Sequence, residues 1–184
     1  MGKANIMYPI LANAGVPMIF LTLPPMVVLI LPVILIEFWV ARKTVAPVAQ
    51  SKRWIGILTA NLVSTFIGWP LAWGTLLFLE IVTGGGRAHG LDSPIGAILA
   101  VTYQAPWLIP YEEHLYWMIP AAMAFLLIPF FLISVYSERW ILRRMWKDTS
   151  REEMIRFSWV GHGYSYAFLL LVVLIYGVYS IGSR

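Results

Sequence analysis

Three polar side chains that can carry chemistry stand inside strongly apolar stretches of this sequence: Glu37, Asn61 and His162. Each lies five to eight residues from the nearest basic residue that flanks its stretch on one side. On helices that rise 1.5 Å per residue, the three side chains would therefore share one depth. Polar groups inside a membrane are costly and mark functional sites, so we expect the three to meet.

A carboxylate, an amide and an imidazole at one depth can form a proton relay. Alternatively, His162 can serve as the axial ligand of a haem or chlorophyll. The plainer interpretation is a hydrogen-bonded patch that joins helices, and Glu37 can also reach towards Arg42 or Lys43. The sequence leaves these readings open and identifies no cofactor.

A second group of acidic and histidine residues lies between the second and third apolar stretches. Its members are Glu80, His89, Asp92, Glu112, Glu113 and His114. Their oxygen and nitrogen atoms suit a metal, but the segment contains no Glu-x-x-His or His-x-x-x-His spacing. Adjacent residues also diverge by about 100° on a helix. We therefore predict no metal site here, with His89, Glu113 and His114 as weak candidates.

Several kinds of chemistry are excluded by residue type. The chain has no cysteine, which rules out disulfides, thiolate metal sites and cysteine nucleophiles. No lysine lies inside an apolar stretch, and neither a phosphate-binding Gly-rich loop nor a Gly-x-Ser-x-Gly nucleophile motif occurs. The sequence therefore predicts no catalytic residue.

The composition places these residues in a membrane protein. Of 184 residues, 60% are hydrophobic and 12% charged, which is too little polar surface for a soluble enzyme and too much apolar surface for a disordered chain. Four stretches, 16–40, 54–82, 116–137 and 158–181, meet the requirement of roughly 20 apolar residues for a spanning helix. We predict an all-α integral membrane protein with one domain, 1–184, and four transmembrane helices.

The basic residues predict the orientation, because Lys and Arg are retained on the cytoplasmic side. Ten of them lie in segments 41–53 and 138–157, against Arg87 alone in segment 83–115. The two basic segments should be cytoplasmic, with both termini and segment 83–115 outside. This explains the net charge of +4 without nucleic acid, and the bacterial inner membrane is the default location.

Segment 83–115 is too long for a turn. A run of three glycines ends the second helix, and Ser93 followed by Pro94 is a typical helix start. The apolar run that follows, 95–103, is too short to cross a bilayer. We predict a short interfacial or re-entrant helix there, and a similar interfacial lead-in at residues 3–15.

Small residues on helical spacings predict close packing between helices. In the second helix these are Asn61, Ser64, Gly68 and Ala72, and in the fourth Gly161 and Ser165. Pro70 lacks an amide hydrogen and should bend the second helix. At the cytoplasmic end, the basic residues can contact anionic lipid headgroups, with simple topological retention as the alternative. They are Arg139, Arg143, Arg144 and Lys147.

The first and third helices resemble each other. Met26, Pro32 and a Leu-Ile pair recur 97 residues later, at Met123 and Pro129. A duplicated hairpin would give two halves with the same orientation. Chance recurrence of proline and bulky apolar residues is the alternative.

Three functions fit the sequence. The favoured one is a non-catalytic accessory subunit of a larger membrane complex, which contacts lipids, other membrane subunits and possible pigment or haem. The second is a small oligomeric transporter or channel whose path passes Glu37, Asn61 and His162. The third is a metal-dependent membrane enzyme that uses the outer acidic and histidine residues.

Overall fold

Four long helices form the fold in a computed structural model, which describes residues 15–45, 48–85 and 87–183. Each is long and apolar enough to cross a membrane. They are α1 (Met18–Thr44), a composite rod (Gln50–Gly84), α5 (Leu115–Met145) and α6 (Arg151–Gly182). The predicted all-helical membrane architecture with four spanning helices is confirmed by length and composition.

The composite rod consists of α2 (Gln50–Val63), a π-helical turn (Ser64–Gly68) and α3 (Trp69–Gly84). The π-helical turn ends two residues before Pro70, whose ring and missing N–H disturb regular α-helical hydrogen bonding. Such π turns occur mostly as single turns within α-helices, frequently at functional sites. The last residue of the rod is Gly84, and Gly85 caps it with a φ of 60°.

The helices run further at their basic ends than the apolar stretches indicate. α5 continues past 137 to Met145, and α6 begins at Arg151 rather than at 158. The predicted loop 138–157 therefore shrinks to residues 146–150, and the loop 41–53 shrinks to 45–49. Charged residues end an apolar stretch but not a helix. Ser150 begins α6 through a reciprocal capping box with Glu153.

The long connection between α3 and α5 contains a short helix, α4 (Pro94–Val101), where Ser93 accepts a hydrogen bond from the Gly96 amide at 3.0 Å. Two-residue strands β1 (Val16–Pro17) and β2 (Trp107–Leu108) pair antiparallel and tie the start of α1 to this connection. Gly15 adopts a φ of 76° against the Trp107 ring, where a Cβ would collide. The rest of the predicted lead-in, residues 3–14, lies outside the described residues.

Around the bundle, the spanning helices follow the order α1, α2, α5 and α6, each packed against two neighbours. Two apolar clusters fill the interior. The cluster near the short connectors includes Ile57, Leu142 and Phe157, and the other includes Met118 and Leu126. Residues 61, 138 and 162 fall between the two clusters along their helices, whereas Glu37 lies one turn past the boundary on α1, between Ile34 and Phe38 of the cluster near the connectors. A polar layer therefore stands close to where the two apolar clusters meet.

The two helical hairpins repeat each other at an offset of 101 residues. α1 ends at Thr44 and α5 at Met145, while α2 begins at Gln50 and α6 at Arg151. Both offsets are 101, so the connectors also match in length. The helix ends therefore correspond at an offset of 101, four residues away from the 97-residue offset of the proline and methionine pairs.

Residues at the 101 offset support the duplication. Segment 37–44 reads Glu-Phe-Trp-Val-Ala-Arg-Lys-Thr and segment 138–145 reads Glu-Arg-Trp-Ile-Leu-Arg-Arg-Met. Five pairs are identical across the two hairpins at this offset: Leu31 with Leu132, Glu37 with Glu138, Trp39 with Trp140, Arg42 with Arg143, and Ser64 with Ser165. Two hairpins in the same orientation are related by an axis parallel to the helices. The identical glutamates and serines lie in the polar layer that this axis crosses.

Candidate cation site in the bundle interior

The structure brings Glu37, Asn61 and His162 together. Asn61 Nδ2 donates to Glu37 Oε2 at 2.7 Å, and His162 Nε2 lies 3.9 Å from Glu37 Oε1. The three residues are at most 2% exposed, which separates them from both water and lipid. Glu37 therefore points into the bundle and does not extend to Arg42 or Lys43.

Sequence reasoning missed the fourth member of the layer, Glu138. Its Oε2 lies 3.4 Å from His162 Nε2 and accepts a 3.2 Å hydrogen bond from Asn61 Nδ2. The apolar stretch ends one residue earlier, so Glu138 was assigned to the cytoplasmic loop. The signal that identifies it is the repeat itself, because Glu138 begins the segment that matches the one beginning at Glu37.

The hydrogen bonds of the layer obey the same twofold relation. Ser165 Oγ donates to Glu37 Oε1 at 2.9 Å, and Ser64 Oγ donates to Glu138 Oε1 at 2.5 Å. In both cases a serine of one hairpin reaches a glutamate of the other. The helix-packing serines predicted from spacing thus contact carboxylates.

The hydrogen-bond partner of His162 Nδ1 shows that this nitrogen carries a proton. His162 Nδ1 lies 2.7 Å from the backbone oxygen of Ser158. A backbone carbonyl only accepts hydrogen bonds, so Nδ1 carries the proton. His162 Nε2 faces the two carboxylates at 3.4 and 3.9 Å, with a lone pair if the ring is neutral and with a proton if it is charged. This nitrogen has no hydrogen-bond partner among the described residues.

The carboxylates are stabilised by neutral donors. Each of the four oxygens of Glu37 and Glu138 lies within hydrogen-bond distance of Asn61, Ser64 or Ser165. Asn61 Nδ2 has two hydrogens and also faces the Ile57 backbone oxygen at 3.1 Å, so its three acceptors share them. The buried Arg53 contributes nothing here, because its guanidinium donates to the backbone oxygens of Val45 and Val48. With both carboxylates ionised and His162 neutral, the layer would carry two negative charges, which burial makes costly without a cation.

The spacing of the three groups is wider than that of a direct ion pair. A charged N–H to carboxylate bond is about 2.7–2.9 Å long, whereas the two distances from His162 Nε2 are 3.4 and 3.9 Å. Ligand atoms bound tetrahedrally to a metal at about 2.0–2.2 Å stand about 3.4 Å from one another. One potential ligand atom of each residue lies within 4.8 Å of the others, which is close enough for the three to share one ion.

Aromatic residues cover the side of the layer that faces away from the short connectors. Tyr166 and Ser134 share a 2.9 Å hydrogen bond one helical turn beyond the site. Trp69 packs on Phe130 with ring centroids 4.1 Å apart. Further out, an apolar cavity of about 420 Å³ opens between α1, α5 and α6. These aromatic residues separate the cavity from the carboxylates.

The outer acidic and histidine residues lie apart from this layer. Glu113 and His114 are exposed in a 3-10 turn (Glu112–His114), and His114 faces Trp117. His89 lies edge-on to Tyr103. Among the described residues, Glu37, Glu138 and His162 form the one group of three potential ligands close enough to share an ion. A metal centre would therefore stand inside the bundle rather than in the long connection between α3 and α5.

The remaining predicted residues lie in two places: at buried contacts between helices and at the end of α5. Gly68 faces α5, where a Cβ would stand 3.4 Å from Ile133, and Ala72 and Gly161 are buried. At the end of α5, a surface cleft is lined by three arginines and two aromatic residues. They are Tyr136, Arg139, Trp140, Arg143 and Arg144. Lys147 is exposed in the connector beyond them.

Comparison with known proteins adds no relative: no protein-family model, curated protein or solved structure matches this chain.

Proposed function

We propose that this chain is a metal-binding subunit of the membrane whose bundle holds one divalent transition-metal ion. The observation that carries the proposal is the buried Nε2 of His162, which faces Glu37 and Glu138 without a hydrogen bond. Metal-bound histidines commonly donate their other ring N–H to a backbone carbonyl, as His162 does to Ser158.

The ligand chemistry supports a first-row metal. Two carboxylates and one imidazole suit zinc, manganese or ferrous iron. A divalent ion also balances the charge of Glu37 and Glu138 while His162 stays neutral. Ca²⁺ fits less well, because it takes six to eight oxygen ligands.

Burial favours a resident ion over a transported one. The ligands are at most 2% exposed and stand close to where the two apolar clusters meet. An ion held there joins both hairpins, since Glu37 comes from one and Glu138 and His162 from the other. This role is compatible with the accessory subunit that the sequence favours, whereas a transporter would have to open one of the apolar clusters.

A proton is the second candidate for the same position. A protonated His162 would place one positive charge between the two glutamates. The 3.4 and 3.9 Å separations favour the metal because they exceed the usual length of a charged hydrogen bond.

We also propose the arrangement in the bilayer. The short connectors 45–49 and 146–150 would face the cytoplasm because of their flanking arginines and lysines. Helix α4 would then lie at the outer interface, since its eight residues cannot cross the membrane.

Metal analysis of the purified chain tests the function. The full-length protein in mild detergent, loaded with Zn²⁺ or Mn²⁺ and desalted, should retain about one ion per chain, as expected of a three-ligand site. Glu138→Gln should lose most of this metal, because it removes a charged ligand and keeps the side-chain shape. Glu113→Gln, at the exposed outer turn, is the matched control and should retain it.

A folded wild-type chain that retains neither metal would refute the proposal. Equal metal retention by Glu138→Gln and wild type would also refute it, since the ion would then lie elsewhere.

A further inference from the structure

Asn61 stands where the second hairpin carries its histidine. Asn61 and His162 are 101 residues apart, and each lies eleven residues after the first residue of its helix. The position is therefore equivalent in the two hairpins, but only one of them supplies an imidazole.

The local hydrogen bonds of the two side chains are also equivalent. Asn61 Nδ2 donates to the backbone oxygen of Ile57 at 3.1 Å, four residues earlier. His162 Nδ1 donates to the backbone oxygen of Ser158, again four residues earlier and 101 residues from Ile57. Both side chains are thus held to their own helix and directed at the same pair of carboxylates.

This equivalence gives Asn61 a specific role in the metal centre. We infer that Asn61 is the residue that determines metal preference, because it replaces a second imidazole with an amide. The inference rests on the proposed metal-binding function. With Asn61 the set contains one nitrogen ligand among oxygens, which suits Mn²⁺ or Fe²⁺ as well as Zn²⁺. A second imidazole would shift the preference towards Zn²⁺.

The variant Asn61→His tests this role. The histidine would find the Ile57 carbonyl for its Nδ1 and the carboxylates for its Nε2. Competition between Zn²⁺ and Mn²⁺ on the full-length protein should show a rise of about tenfold or more in the zinc-to-manganese affinity ratio, because imidazole follows the Irving–Williams order more steeply than oxygen ligands.

Asn61→Asp is the matched control. It adds negative charge without a nitrogen ligand, so it should strengthen binding of both ions and leave their ratio close to that of wild type. If Asn61→His fails to fold, the reverse exchange His162→Asn is measured instead. It leaves an amide at both equivalent positions and should lower Zn²⁺ affinity more than Mn²⁺ affinity, whereas equal losses would overturn the role of this position in metal preference.

The outcomes separate this inference from the function on which it rests. An unchanged ratio in folded Asn61→His, or the same ratio as in Asn61→Asp, would overturn the role of Asn61 while wild-type binding stands. Zinc binding by Asn61→His with none by wild type would refute the proposed function and support the equivalence of the two positions. Binding by neither chain would overturn both.

Discussion

At the scale of single residues, the polar layer is stabilised by side chains that sequence reasoning assigned to packing. Ser64 and Ser165 were expected only to allow close approach of helices, yet each donates to a carboxylate of the opposite hairpin. A serine side chain is small enough to allow close packing of helices, and its hydroxyl can also donate a hydrogen bond. A buried acceptor that loses its donor costs more than the bond contributed, so these serines should matter for stability.

Removing either hydroxyl should therefore destabilise the bundle. Ser165→Ala and Ser64→Ala should each lower the free energy of unfolding by about 1.5–3 kcal/mol, the range for hydrogen bonds to charged groups. Denaturation in mixed micelles, followed by circular dichroism, measures this change.

Ser158→Ala supplies the control. Ser158 is equally buried, but its hydroxyl donates to the Met154 backbone oxygen of its own helix. Its loss should cost clearly less. Equal effects of all three alanine variants would show that the carboxylate bonds have no special weight.

At the scale of elements, α1 and α5 end alike but are not identical. Lys43 Nζ lies 3.6 Å from the centroid of the Trp39 ring, and the Arg144 guanidinium lies 3.3 Å from that of Trp140. The residue before the tryptophan differs between the two helices: α1 has Phe38 where α5 has Arg139. Only α5 therefore presents Arg139, Arg143 and Arg144 together in one cleft.

This difference sharpens the predicted contact with lipid headgroups. Arg139→Ala with Arg143→Ala should reduce retention of phosphatidylglycerol, measured by native mass spectrometry against phosphatidylcholine, by roughly tenfold or more, since each basic residue near anionic lipid contributes about 1 kcal/mol.

The equivalent end of α1 provides the comparison. Arg42→Ala with Lys43→Ala removes the same number of charges and should have a smaller effect, because α1 lacks the third arginine. If both pairs reduce retention equally, net charge and not the α5 cleft determines binding.

Prediction from the sequence succeeded for features that depend on nearby positions along the chain, such as the length of an apolar stretch or the spacing from a basic residue. Apolar length was enough for the four helices, and shared depth was enough to bring Glu37, Asn61 and His162 to one layer. It failed at Glu138 because the helix continues beyond its apolar stretch. The wide turn before Pro70 was expected only as a bend, because hydropathy does not distinguish a π turn from a kink. The metal interpretation required the distances around His162, which no spacing in the sequence contains.

At the scale of the whole molecule, the parallel orientation of the two hairpins means that one measurement decides the direction of all four helices. Both hairpins have the same direction, so one location of their connectors determines all four helices. The natural chain contains no cysteine, which makes accessibility easy to measure.

Single cysteines should report this orientation directly. Lys147→Cys, in the second connector, should react with a membrane-impermeant maleimide only after permeabilisation. Asp92→Cys, in the long connection between α3 and α5, should react in intact cells. The reverse pattern would place the basic connectors outside and contradict the positive-inside prediction.

The π turn has one more consequence, for how far the two hairpins can stay alike. A single wide turn accommodates an extra residue, and the described part of α6 remains α-helical over the matching positions. Beyond Ser64, side chains of the first hairpin therefore run about 100° out of phase with their counterparts, given 3.6 residues per turn. The apolar cavity is also lined unequally, with four residues from α6 in its wall but only Trp69 from the composite rod. Symmetry is confined to the half of the protein that contains the carboxylates, and the other half is free to diverge.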